Sequence, residues 1–506
     1  MGRRPAVQLM GSAVTFAPHH TDVFGRLKTT RHQGMFDADF EYGSQPARWE
    51  SLTVGSATIS HQPQLGGVRM RLTTAAGDVA IRQSRPYHRY QPGKDQRATG
   101  AIVFGTALTG QVQRFGFFDD SNGAFIEQNG SLVTTSNPSG MAAVIRSDVN
   151  GTINENRIPL PSWSCDLGRI AGINWNNLLM FFVEYAWYGG GSVRFGITIN
   201  GSDFILHEHS PSSLASSAVP WCRTGNLPVR YEMRNITSVA SVQDMIHWGV
   251  SVVTDGGQDE QRGFTFGYGM APQVPRRTVA ANSVRYPLMS FRNRIMGTLE
   301  YTQASSAITA GTTTNLTATG TPWTVDQWKG RFVSYVNGGI TYTARIATNT
   351  TSALTIADIV TGGAMAAAPV AGQNYTIGLI NRGQILPRGL MLTASALCQI
   401  EVIQSSPGNP IVLTGASFAA LSGLGSPSSF AERDVSATAL SGGEVVNRFT
   451  APSGGSGLLS LDLGNQFALY TNIRGNLADI LTIAVTTPAA AAADVGVDLV
   501  AQEAMS

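Results

Sequence analysis

Several places in the chain gather side chains that could do chemistry. His207 and His209 stand two apart in an apparent strand, so both point to one face, and Asp203 is the only further ligand on their parity. Zinc asks for three or four ligands in a tetrahedron, so the pair reads as surface or interface histidines. Asp119-Asp120-Ser121-Asn122-Gly123 sets carboxylates and an amide oxygen beside a glycine, as a hard cation would want. It lacks the long loop with a terminal Glu, and a turn whose Asp and Asn bond their own backbone is the simpler reading; residues 255–260 read the same way. Glycoside hydrolysis needs two carboxylates about 5–9 Å apart across a groove. Glu184, Asp148, Glu232 and Asp166 are available, and nothing in their spacing selects a pair.

No Gly-x-Ser-x-Gly elbow, Walker loop or dinucleotide fingerprint occurs. The expectation from missing constellations is a non-enzyme with no catalytic residues, no metal site and no cofactor. Aromatic side chains cluster instead: Phe115, Phe117 and Phe118 in one run, Phe181, Phe182, Tyr185, Trp187 and Tyr188 in another, Phe264, Phe266 and Tyr268 in a third. Such rings can stack on sugars, or fill the space between two sheets, which is the commoner use. The most individual segment runs from Arg82 to Lys94. Arg82, Arg85, Tyr87, His88, Arg89, Tyr90 and Lys94, with Pro86 and Pro92, make an extended basic strip suited to a protein interface, or an ordinary strand and turn with arginines in solvent.

The elements that must position these residues are strands. Charged residues are 13% of the 506, against roughly 25% in ordinary soluble domains. Val, Ile, Thr and aromatics recur in short runs ended by Gly, Asn or Pro. Val68, Met70 and Leu72 alternate with Arg69, Arg71 and Thr73, which predicts a half-buried strand. The net charge of +2 without a large Lys/Arg cluster excludes nucleic-acid binding driven by electrostatics. No run of eighteen apolar residues predicts a membrane span, and Met1-Gly2-Arg3-Arg4 makes a poor secretion signal. Cys165, Cys222 and Cys398 are odd in number and widely spaced, which predicts thiols rather than disulfides.

Changes of texture divide the chain. Residues 1–33 read as an N-terminal arm and 34–275 as a large antiparallel β-sandwich, jelly-roll-like. Residues 276–297 and 381–506 read as a C-terminal sandwich. Between them 298–380, rich in Thr, Ala and Gly, is expected to be a small inserted β-domain with a hairpin at Asn337-Gly338-Gly339.

The strip Arg82-Gln83-Ser84-Arg85 and Tyr87 to Lys94 resembles a stretch of minor structural proteins of tailed bacteriophages, as do Gly116-Phe117-Phe118-Asp119, Gly123 to Glu127, Val193 to Ile197, Asn226 to Glu232 and Tyr286 to Arg292. The resemblance spans about 34–296 and resumes near 381. Trp328-Lys329-Gly330-Arg331 is similar to a Trp-x-x-Gly-Arg turn of phage modules, one residue shorter. It implies a virion component made in the host cytoplasm, of the tail or a tail-attached fibre or tip. Its implied partners are copies of itself, as a trimer or ring, and other virion proteins. The alternatives are a module binding host-surface glycan, with Trp323 and Trp328 as ligand-binding aromatics, a neck or capsid-surface decoration protein, or a glycan depolymerase.

Overall fold

The computed structural model describes residues 7–9, 12–14, 21–29, 31–211, 219–257, 263–270, 276–302, 308–337, 340–357, 367–406, 408–421, 429–454, 456–459, 468–489 and 491–504. The chain is mainly β and divides into two compact units, Met1–Gln45 with Trp49–Asp259, and Pro46–Arg48 with Glu260–Ser506.

The first unit opens with a strand pair, β1 (Val7–Leu9) and β2 (Ser12–Val14). There follow β3 (His32–Ala38), β4 (Trp49–Val54), β5 (Thr58–Gln62), β6 (Gly67–Leu72), β7 (Val79–Ser84) and β8 (Gln96–Val103). Next come β9 (Gln111–Phe118), β10 (Gly123–Asn129), β11 (Met141–Ser147), β12 (Asn154–Pro159) and β13 (Leu179–Tyr185). The last are β14 (Val193–Ile199), β15 (Ser202–His209), β16 (Val229–Asn235) and β17 (Gln243–Asp255). They build an antiparallel sandwich. One sheet runs β12-β11-β10-β9-β16-β7-β4, the other β15-β14-β13-β8-β17-β6-β5 with β3 against β17.

Alternation places the side chains. On β6, Val68, Met70 and Leu72 are buried, while Arg69 and Arg71 stay partly exposed on the other face. The core between the sheets is aromatic: Trp49, Phe115 and Tyr231 pack with His247, whose ring lies on Tyr231 at 4.0 Å. Burial holds His247 well below the usual imidazole range, so it is a neutral core ring. Each large apolar side chain removed from water here contributes roughly 1.5–3 kcal/mol. Gly100 on β8 makes room for this stack, since a Cβ there would stand 2.8 Å from the Phe115 ring and the Tyr231 hydroxyl.

The second unit is likewise an antiparallel sandwich. One sheet orders Phe264–Gly269, Ala493–Ala504, Gln384–Ala394 and Ser456–Leu459, with Arg277–Val279 beside Ala493–Ala504. The other orders Ala419–Ala420, Ala431–Asp434, Tyr286–Asn293, Ile480–Thr486, Cys398–Gln404 and Glu444–Ala451. Tyr268, Phe291, Leu390, Ile400 and Ile483 lie in their shared core. A separate seven-stranded sheet interrupts this sandwich, from Met296–Thr302 to Tyr375–Ile380, which pair with each other. It has its own core around Leu316, Val333, Ile346 and Tyr375. Strands Phe332–Asn337 and Ile340–Asn349 pair as a hairpin, while the glycines at 338 and 339 lie outside the described residues.

Candidate functional site

The strip that stood out in sequence folds back on its own sandwich. Arg82 points into the core, its guanidinium 5.0 Å from the Phe40 ring and 5.4 Å from Trp49, and donates to the Ser44 carbonyl at 2.8 Å. Burial pushes it down to about 10. Arg85 is buried, and Tyr87 donates to Asp119 Oδ2 at 3.2 Å. His88 packs against Phe36 and Phe117. The Tyr90 amide donates to Asn226 Oδ1 at 2.7 Å, and its ring stacks on Tyr185. Of the seven residues marked as a possible interface, Arg89 and Lys94 alone keep partial exposure. Trp323 and Trp328 sit in the core of the inserted sheet, 4% and 7% exposed, against Tyr301.

The strip leads to a corner of the first sandwich where exposed rings gather. The turn from β13 to β14 closes with Gly191 N–H donating to the Trp187 carbonyl at 2.8 Å, and Trp187 Nε1 donates to the Cys222 carbonyl. Beneath lie Tyr90, Tyr185 and Trp221; Tyr185 donates to the Gly225 carbonyl at 2.6 Å. Gly225 is needed at this depth, because a Cβ would stand 2.8 Å from Trp187. Tyr188 rides on top, 57% exposed, with φ of +40°, a backbone region costly for a bulky residue. Its ring meets Phe24 edge-on at 5.9 Å, and Phe24 is 39% exposed. The Arg26 guanidinium lies 4.7 Å from the Phe24 ring and donates to the Gly93 carbonyl at 3.0 Å. Arg26 was legible only as a basic residue of an N-terminal arm and Phe24 did not stand out, because nothing in their local pattern signals the neighbouring strands.

Beside this corner is an acidic socket. Asp95 precedes β8, Glu184 is on β13 and Asp255 ends β17. Lys28 reaches in, its Nζ 2.5 Å from Glu184 Oε1 and 3.7 Å from Asp95 Oδ2; His32 Nδ1 lies 2.9 Å from Asp255 Oδ1. Burial, then the hydrogen bond and charge of Glu184, push Asp95 up to about 10, so it carries a proton. Against its own burial, Glu184 is held low by that hydrogen bond and by Lys28.

The outer face of the other sheet is a lattice of charges. Glu232 accepts from Arg114 at 2.8 Å and lies 2.7 Å from Arg230; Glu127 accepts from Arg114 at 2.7 Å and Arg157 at 2.8 Å. The guanidiniums of Arg114, Arg146 and Arg230 lie about the Phe118 and Phe125 rings. Although burial opposes it, these cations hold Glu232 well below the carboxylate range and Glu155 near about 2, so neither is a proton donor at neutral pH. Glu184 and Glu232 therefore face outward from opposite sheets, Asp148 pairs with Arg223 at 2.9 Å, and Asp166 caps a short 3-10 turn. The four carboxylates considered from sequence do not converge. Asp119 Oδ1 accepts from the amides of Ser121 and Asn122, and Asp120 pairs with Arg230. His207 accepts from the Ser164 amide, while Asp203 is bonded to Arg97 and Thr198. Among the described residues no group of three His, Cys, Asp or Glu could hold a metal, and no helix is long and apolar enough to cross a membrane.

No protein-family model matches the chain, and no curated protein matches it. Solved structures do. A glycosyl hydrolase family 16 protein from Mycobacterium smegmatis is 15% identical, covering 44% of this chain and 100% of that one at a TM-score of 0.30. A β-1,3-glucanase from Mycobacterium marinum is 12% identical over 44% and 98%, with a TM-score of 0.29. A Bacillus licheniformis β-glucanase is 14% identical over 45% and 99%, at 0.28. Family 16 hydrolases and glucanases thus stand where tail and fibre proteins of bacteriophages were expected. The resemblance drawn from Arg82–Lys94 is corrected accordingly, and with it the virion role, the virion partners, the virion location and the expectation of a non-enzyme. The strip's chemistry gives a physical reason: most of the side chains that made it look like an assembly surface are buried within their own sandwich.

Proposed function

We propose that the first unit binds carbohydrate at the corner made by Phe24 and Tyr188. One observation carries this reading: a bulky tyrosine held in a costly left-handed backbone, its ring exposed and set edge-on to a second exposed ring. Backbone strain of that kind persists where the surroundings enforce it, and here they enforce a display of aromatic surface. Ring faces of this type take the C–H face of a sugar, while the Arg26 guanidinium beside Phe24 supplies a donor for hydroxyls. Glucanases among the solved structures suggest the first probe, a soluble β-1,3-glucan.

Titration calorimetry with that glucan is expected to show binding that Tyr188→Ala and Phe24→Ala each weaken about tenfold, the loss of one stacking contact. Unchanged affinity in both variants would sink the assignment. Release of reducing ends from the same glucan tells whether bound sugar is also cleaved.

A further inference from the structure

The corner is made of two pieces that belong to different parts of the chain. Tyr188 comes from the turn between β13 and β14, whereas Phe24 comes from a small loop at 21–28. That loop is organised by itself. Asp22 Oδ1 accepts from the amides of Phe24 at 3.0 Å and Arg26 at 2.7 Å, Thr21 bridges Leu27, and Gly25 takes φ of +78° to close the turn. It is attached to the sandwich at separate points: Val23 is buried in the sandwich core, Arg194 donates to the Thr21 carbonyl at 2.6 Å, Arg26 donates to the Gly93 carbonyl, and Lys28 fills the acidic socket.

We propose that Lys28 is the positioning residue of this site: its ammonium, seated among Glu184, Asp95 and Asp255, pins the 21–28 loop so that Phe24 stands against Tyr188. The inference rests on the carbohydrate reading for its functional consequence but not for its structural content. The socket is suited to a single cation. Asp95 is buried with its Oδ2 lacking any hydrogen-bond donor, and that atom faces the Lys28 ammonium 3.7 Å away. Other charges around the socket are already engaged, His32 with Asp255 and Arg194 with Glu208. Arg97 and Arg194, the cross-strand neighbours of Glu184, are held by Asp203 and Glu208, so Lys28 makes the socket's own ion pair, and removing one partner of a buried pair leaves charge poorly compensated. The part of the loop that follows the buried Val23 would then lift from the sandwich, taking Phe24 away from Tyr188.

The experiment uses the full chain. Trypsin cleavage after Arg26, followed by mass spectrometry, reads whether the loop is docked, and β-1,3-glucan titration reads the corner. Lys28→Met is expected to speed cleavage after Arg26 and weaken glucan binding, each by about tenfold or more. Lys28→Arg is expected to restore both, since a guanidinium can reach the same carboxylates. Lys28→Met combined with Glu184→Gln removes the uncompensated charge; a thermal midpoint near wild type with the loop still cleaved fast separates pinning from general stability. Cleavage in Lys28→Met at the wild-type rate overturns the inference. If Tyr188→Ala binds glucan normally while Lys28→Met still frees the loop, the carbohydrate reading fails and the pin stands. If Tyr188→Ala abolishes binding but Lys28→Met leaves cleavage and affinity unchanged, the reverse holds.

Discussion

Tyr188 illustrates how a single backbone angle separates stability from display. At φ of +40° a residue with a Cβ is strained and glycine is not. The usual ranking of Ala above Gly should therefore invert here. Tyr188→Gly is expected to unfold with about 0.5–1 kcal/mol more stability than Tyr188→Ala in urea titrations, although both lose glucan binding. Equal stability, or Ala ahead, would mean that the turn relaxes and stores nothing. Gly225, one layer below, shows the complementary constraint: its missing Cβ lets Trp187 and Tyr90 close over the chain. Little of this was legible from residue types. Tyr188 was visible as one of a crowded aromatic run, yet Phe181, Phe182 and Tyr185 of that run are buried, and only the turn geometry tells which ring is displayed. Glu184 was named as a candidate acid, Asp255 as part of a turn and Lys28 as a basic residue of the arm, while Asp95 was not singled out, and nothing in sequence joined them. They meet only because β8 pairs with both β13 and β17, a register that local pattern does not encode.

At the scale of elements, alternation served well where one face met solvent and failed where both faces were buried. β6 followed its pattern residue by residue. On β9 and β10 every position is buried, so Arg114 and Glu127 lie as deep as Phe115 and Ile126. A charged residue in a strand normally marks the wet side; here cross-strand Arg–Glu pairs make a second buried layer. That layer should be the acid-sensitive part of the first unit. Glu155, with the cations of Arg114, Arg146 and Arg157 beside it, has a folded value of about 2 against an ordinary 4.5. A depressed carboxylate contributes stability that is present above its unfolded value and lost as pH falls through the folded one. Glu155→Gln is thus expected to cost on the order of 2–3 kcal/mol at pH 7 and almost nothing near pH 2, read from urea midpoints across that range. A cost independent of pH would assign the effect to lost hydrogen bonds alone.

For the molecule as a whole, the change in composition near residue 298 marked a place where the second sandwich is interrupted, although Trp323 and Trp328 in that segment are packing residues with no outward face. We propose that 298–380 is an independent folding unit inserted in a loop. Its two ends come back together: the Asn381 amide donates to the Ile295 carbonyl at 2.8 Å, and Met296–Thr302 pairs with Tyr375–Ile380. A chain in which 298–380 is replaced by a short Gly-Ser link is expected to keep the β signature and thermal transition of the remainder, followed by circular dichroism. The excised segment is expected to melt cooperatively by itself. Loss of the second sandwich on excision would show that the inserted sheet shares its core.

The acidic socket also sets an order of events. Lys28 leaves the ribosome long before Asp255, and the socket it occupies exists only after β8, β13 and β17 have zipped together. The loop at 21–28, complete in its own turn, must therefore wait undocked while more than two hundred later residues are made and folded. Phe24 is among the earliest parts of the corner to be synthesised, and the corner is finished only when the rest of the sandwich is in place to receive it.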